Sequence, residues 1–196
     1  MTTGEGGMII SDNEHFFQKC RAVHDHGHAY TVANRAEDPA SCLGFNFRMS
    51  ELQAAVGIEQ LKKLDLIIER QRWNKEYIKA ELSSLRLNYR HCFSAEGDIG
   101  DSIIFFANSS SHASSIASAL DAQGLGTKNL PSAIRWHFVE HWDHLKEFIQ
   151  QDQNTATWQK SADFLERSVA INVGSHDDVA INDMIIEKLR KAIEDC

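Results

Sequence analysis

Three groups of side chains in this sequence have the types and spacing for chemistry. His24-Asp25-His26-Gly27-His28 packs three imidazoles and a carboxylate into one pentapeptide. In an extended loop alternate residues share a side, so the three histidines can converge, but no cysteine or glutamate completes a recognised metal-ligand pattern. His137-Phe138-Val139-Glu140-His141 fits the H-x-x-E-H signature, in which two histidines one helical turn apart grip zinc beside a glutamate base. That chemistry also needs a third ligand downstream in helical context, and the setting of Arg135-Trp136-His137-Phe138 with Trp142 reads better as a binding wall. The third group centres on Asn46, just before the helix start at Ser50. A rigidly held asparagine there can donate its amide to a phosphate oxygen, where a helix N-terminus also favours anions. The blander reading, an Asx-turn closing the loop, is the one sequence chemistry alone prefers. Arg48 has a planar fork suited to a carboxylate or phosphate, yet fixing the loop against an acidic neighbour is the reading favoured for it. Tyr30 can hydrogen-bond a ligand hydroxyl or anchor its loop by packing.

These residues need elements to position them. The segment Gly4-Glu5-Gly6-Gly7 has neither the G-x-G-x-x-G spacing nor the lysine of a phosphate-binding loop, and by itself means a tight turn. Residues 7–11 read as a short apolar strand, followed by a helix over 15–23 with polar cap candidates at Asp12, Asn13 and Glu14. Periodicity fails over 24–43, where Gly27, Asn34, Pro39 and Ser41 punctuate a long loop of the kind that is functional or disordered. Ser50 and Gln53 form a Ser-x-x-Gln capping box, and apolar positions from Leu52 to Ile68 recur at helical spacing, so one amphipathic helix is expected to reach Leu82. Beyond it the pattern predicts a strand over 103–107 and a helix over 112–123 closed by Gly124, with the serines at 109–111 as a loop cap. A helix over 157–166, a strand over 168–173 and a final helix over 178–194 started by Ser175 or Asp177 complete the reading.

The whole composition narrows the partners. At 196 residues and 42% hydrophobic the chain is an ordinary globular one. A formal charge of -8 argues against nucleic acid, since phosphate-backbone binding rests on clustered Lys and Arg. No apolar run is long enough to span a membrane and no leader pattern opens the chain, so a cytoplasmic protein with a small-molecule partner is expected. Cys20, Cys42, Cys92 and Cys196 form no C-x-x-C pair and read as reduced thiols.

Two motifs together carry a family resemblance. Thr2-Thr3-Gly4-Glu5-Gly6-Gly7-Met8 is followed by Gly44-Phe45-Asn46-Phe47-Arg48-Met49-Ser50-Glu51-Leu52-Gln53-Ala54-Ala55. The pair resembles the DegT/DnrJ/EryC1/StrS-type sugar aminotransferases, where T-G-E-G-G precedes G-[YF]-N-[YF]-R-M-x-x-x-Q-A-A. The resemblance implies an α/β fold, the C-terminal part of a fold type I transferase dependent on pyridoxal 5'-phosphate (PLP). Residues 1–50 would end the large PLP-binding domain, 51–82 form a connecting helix, and 83–196 a small C-terminal α/β domain. It also implies transamination of a keto-sugar with glutamate as donor. The sugar would be nucleotide-linked or a free sugar acid, such as an 8-oxo-octulosonate for lipopolysaccharide.

Asn46 would reach the cofactor phosphate of the other subunit in a homodimer with shared active sites, and Tyr30, Arg48, Arg135 and His137 would face substrate. At His137 the family's P-L-H pattern is replaced by Arg135-Trp136-His137. In the family the Schiff-base lysine lies shortly before the first threonine of T-T-G-E-G-G, a position this sequence does not contain, so this chain alone is expected to be inactive. A non-catalytic dimerisation or regulatory fragment, and a zinc protein using His137 and His141, remain as alternatives.

Overall fold

A computed structural model describes residues 2–128, 131, 134–147 and 158–196, and the chain divides into two compact units, 1–64 and 65–196. In the first unit, helix α1 (Glu14–His24) starts where the Asn13 side chain accepts the Phe16 N–H at 3.0 Å. That bond satisfies a donor the first helical turn would otherwise leave open. Residues 7–11 pair with no strand among the described residues, and Met8, Ile9 and Ile10 are exposed. A strand exists only through its neighbour, so the apolar run that suggested one is not sufficient. Helix α2 (Glu51–Leu61) opens on the expected capping box of Ser50 and Gln53. It packs on the residues near the start of the chain: Gln53 Nε2 donates to the Glu5 carbonyl at 2.8 Å, and Gly57 leaves room for Thr3.

The helix expected to run to Leu82 is interrupted. After α2 the backbone turns at Lys62 and Lys63, and α3 (Leu64–Glu81) begins anew. Neither Gly nor Pro causes the break; the Lys63 N–H bonds to Gln60 O, a tightened last turn of the kind that ends helices. Each half then answers to the packing of its own unit.

In the second unit, α3 and α4 (Ser110–Ala122) cover a three-stranded antiparallel sheet together with α7 (Val179–Glu194). The sheet order is β1 (Asn88–Tyr89), β2 (Ser102–Phe106), β3 (Ser168–Asn172), with Ile103 opposite Ile171 and Phe105 opposite Val169. Those four side chains share one face of the pleat and enter the core with Ile78, Leu82, Ile116, Leu120 and Leu189, all essentially inaccessible. Each such side chain contributes roughly 1.5–3 kcal/mol by leaving water. Helices α5 (Ile134–His137) and α6 (Trp158–Arg167) also belong to this unit, α6 setting Phe164 against Phe106 with centroids 5.4 Å apart. Thr157, where the sequence suggested α6 would start, lies outside the described residues.

Other ends follow local chemistry. Ser109 caps α4 through the His112 N–H, and Gly124, at φ +70°, closes it. Asp178 rather than Ser175 or Asp177 caps α7, accepting from Ile181 N at 2.9 Å. Asp177 is occupied elsewhere: its carboxylate takes the Gly174 N–H, and its carbonyl takes Asn74 Nδ2 from α3. Asn74, almost fully buried, also donates to Gly174 O and accepts from Asn182, tying α3 to α7. All four cysteines are free thiols, and among the described residues no helix is long and apolar enough to cross a membrane.

Candidate functional site

Asn46 is positioned by the end of α1. Phe45 N donates to Val23 O and Phe47 N to His24 O, both at 2.8 Å, while His26 N donates to Phe45 O at 2.9 Å. These bonds make a short antiparallel bridge between Asp25 and Asn46. Gly27 and Gly44 permit it: a Cβ at Gly44 would stand 2.2 Å from Gly27 N. The Asn46 side chain is therefore presented from a bonded backbone on both sides, not from a loose loop.

Its two polar ends differ. Oδ1 accepts from Arg48 N at 3.4 Å and Arg48 Nε at 3.1 Å, the Asx-type arrangement that residue chemistry suggested. Nδ2 has no partner among the described residues, and the residue is exposed. What Asn46 offers outward is thus one amide donor, held in direction by the turn.

Arg48 is shared with Asp25, which sequence reasoning did not single out as a site residue. Its Nε lies 3.4 Å from Asp25 Oδ1 as well as bonding Asn46. Asp25 is 7% exposed, and its other oxygen receives the Tyr30 hydroxyl. The Tyr30 bond first, and the Arg48, His26 and Arg35 charges after it, hold the Asp25 carboxyl below its ordinary range despite the opposing effect of burial. The same bond raises the Tyr30 phenol. Tyr30 itself has φ +58° and lies between Arg21 and Arg35, whose guanidinium carbons are 5.3 and 4.8 Å from its ring centroid. Its hydroxyl is committed to Asp25 and its ring to two cations, an anchor for the loop. Asp38 secures the far side of that loop by accepting from Thr31 N, Thr31 Oγ1 and Ala40 N.

Asn46, Arg48 and Tyr30 are brought into one cluster around Asp25. The advance signs of Asp25 were its place among three histidines and near a glycine in the loop, and neither pointed to Tyr30 or Arg48. Near this cluster an open cleft is lined by the Glu5–Ile9 segment, Phe17, Arg21, His24, Phe47 and Arg48. The α2 capping box uses the Ser50 and Gln53 N–H groups internally, so those two donors do not face an incoming anion.

His137 and Arg135 belong to the second unit, on the four-residue α5. His137 is exposed; the Arg135 side chain lies outside the described residues. The H-x-x-E-H stretch does not form one helical face, since α5 ends at His137 and His141 sits in a separate 3₁₀ turn (Val139–His141). Among the described residues no group of three His, Cys, Asp or Glu side chains is arranged to hold a metal ion, and that includes His24, His26 and His28. Trp142 donates its indole N–H to Trp136 O at 2.9 Å and closes this turn.

Comparison with known proteins points one way. The sequence profile of the DegT/DnrJ/EryC1/StrS aminotransferase family matches residues 1–190. A UDP-4-amino-4,6-dideoxy-N-acetyl-beta-L-altrosamine transaminase of Campylobacter jejuni is 39% identical over 85 residues, 40% of this chain and 22% of the relative. A GDP-perosamine synthase of Vibrio cholerae is 34% identical over 85 residues, 43% of this chain and 22% of the relative. In solved structures, the GDP-4-keto-6-deoxy-D-mannose-3-dehydratase of E. coli, with bound hydrated PLP, superposes with a TM-score of 0.72 at 21% identity. That match covers 97% of this chain and 50% of the dehydratase, so the chain spans about half the length of that protein.

Proposed function

The chain belongs to the DegT/DnrJ/EryC1/StrS aminotransferase family, and on that premise we propose that it forms part of a cytoplasmic PLP-dependent enzyme that transfers an amino group from glutamate to a nucleotide-linked keto-sugar. The names of the UDP- and GDP-sugar relatives support the nucleotide-linked class. The observation that carries the reading is Asn46: its carbonyl oxygen is engaged by Arg48, and its Nδ2 is left as a directed, exposed donor. A charge-assisted bond from such a donor suits a phosphate oxygen. Phe45 and Phe47 flank it and are more than half exposed, the sort of apolar surface a second subunit covers. Asn46 would then serve the phosphate held mainly by the other protomer of a homodimer.

The residues fit the cofactor in that one respect. PLP, when bound, supplies the electron sink for transamination. Covalent attachment needs a lysine next to the Thr2–Gly7 segment, and the first lysine in this sequence is Lys19, within α1. No step of the reaction is therefore assigned to these side chains. Arg48 and Tyr30 orient Asn46 and its loop through Asp25; His137 remains a proposed substrate-side residue.

A polypeptide of these 196 residues alone is expected to show no transamination with glutamate and UDP- or GDP-linked keto-sugars. When the stretch is joined to a lysine-bearing first half of a family member, amine product should appear. In that joined protein Asn46→Ala should weaken PLP binding, followed by absorbance, by about tenfold, the loss of one hydrogen bond to a charged group. Unchanged PLP affinity in the variant would refute the role of Asn46.

A further inference from the structure

The second unit holds a cleft of its own. Arg72, Lys75 and Lys79 line one side of it from α3, and Arg90 closes it just beyond β1. Glu76 and Asp98 are the acids of the lining, so four basic side chains face two acidic ones on a chain whose formal charge is -8. A concave surface with a local excess of positive charge concentrates small anions even on an acidic protein.

The cations are not equally committed. Arg72 donates to the carbonyls of Asp98 and Glu96, and Lys75 is paired with Asp98. Both hold the loop over 92–98 against α3. Lys79 bonds Glu76 at 3.0 Å while its Nζ stays 5.4 Å from the centroid of the Tyr89 ring. The Arg90 guanidinium makes no hydrogen bond or ion pair among the described residues and acts on Asp98 through charge alone.

Tyr89 supplies an independent observation. It lines the same cleft, and its phenolic oxygen is buried with no hydrogen-bond partner. A buried hydroxyl without an acceptor is unfavourable, and an acceptor oxygen arriving with a ligand removes the penalty. An unpaired donor and an uncommitted guanidinium lining the same cleft suit a ligand rich in acceptors and negatively charged.

We infer that this cleft binds a small phosphate-type oxyanion, either inorganic phosphate or the phosphate of a phosphomonoester, with Arg90 and Lys79 as its charge partners and the Tyr89 hydroxyl as a neutral donor. All of its lining residues belong to the second unit.

Calorimetric titration of the full chain with inorganic phosphate, and in parallel with glucose 1-phosphate, at constant ionic strength set with chloride, tests this. One saturable site per chain is expected. Arg90→Ala and Tyr89→Phe should each weaken it by about tenfold, whereas Asn46→Ala should leave it unchanged, which separates this site from the proposed cofactor contact. The tighter of the two ligands identifies the source of the phosphate. Because Arg90 is exposed and Tyr89→Phe only removes an unpaired hydroxyl, both variants should keep the parent's far-UV spectrum. Absence of saturable binding to either ligand, or binding that both variants retain at parental strength, would overturn the inference.

Discussion

Gly27→Ala should release the bridge that presents Asn46. Gly27 has φ +82°, and a Cβ there would lie 1.7 Å from Cys42 O, half the 3.4 Å at which ordinary contact begins. The left-handed backbone alone costs a non-glycine residue about 1–2 kcal/mol. The overlap cannot be relieved by a side-chain rotation, because the obstructing atom is a main-chain carbonyl. Retreat of that carbonyl breaks the Cys42 N to Gly27 O bond of 3.0 Å and strains the Gly27 N to Ala22 O bond of 2.8 Å. At about 0.5–1.5 kcal/mol net for each bond, the total is roughly 2–5 kcal/mol. Amide hydrogen exchange reads this directly at His26, Phe45 and Phe47, whose N–H groups form the bridge. Exchange there should accelerate by about thirtyfold or more, at a decade per 1.4 kcal/mol. Amides of β2 in the second unit should serve as an unchanged reference. Gly7→Ala, where a Cβ meets nothing within 4 Å, controls for glycine replacement as such. Bridge amides that exchange within about a factor of two of the parent in Gly27→Ala would refute the claim that close backbone approach holds Asn46.

Asp178→Ala should lower stability by about 1 kcal/mol through loss of the α7 cap, while Ser175→Ala should change it by much less; urea unfolding followed by circular dichroism distinguishes them, and equal losses would show that Asp178 is not the cap. The folded Asp25 carboxyl titrates below its ordinary value of 3.8, so its contribution is fully present above that value and is lost as pH falls through the depressed folded one. Bridge protection at His26, Phe45 and Phe47 should therefore decline on the acid side of the ordinary aspartate range in the parent, and Asp25→Asn should remove that dependence; an identical acid profile in the variant would mean that other carboxyls govern it.

Several features were legible in the sequence because they depend on residues within one helical turn of each other. Asn13, Ser50 and Ser109 cap helices through bonds three residues ahead, so residue type and spacing carry the whole signal. The short apolar runs of β2 and β3 likewise declare buried strands before any partner is known. The glycine-rich segment and the Gly44–Ala55 stretch were sufficient for the family, which the profile match over 1–190 bears out.

Only the tertiary structure decided what distant backbone does. The 7–11 segment pairs with no strand among the described residues, and the helix expected to run through Lys62 and Lys63 divides at the boundary of the two units. Asp177 lost the α7 cap to Asp178 because Gly174 and Asn74 claim it, the second contact spanning 103 residues. Asp25 became the centre of the Asn46 cluster through Tyr30 and Arg48, and the second of these depends on the bridge that Gly27 and Gly44 allow. A carboxylate's neighbours are fixed by where the chain returns, and that depends on long-range packing which residue type and local spacing do not encode. The sequence thus determined the family and the local caps at Asn13, Ser50 and Ser109; the fold determined where α3 and α7 begin, which donor Asn46 leaves free and why it points as it does.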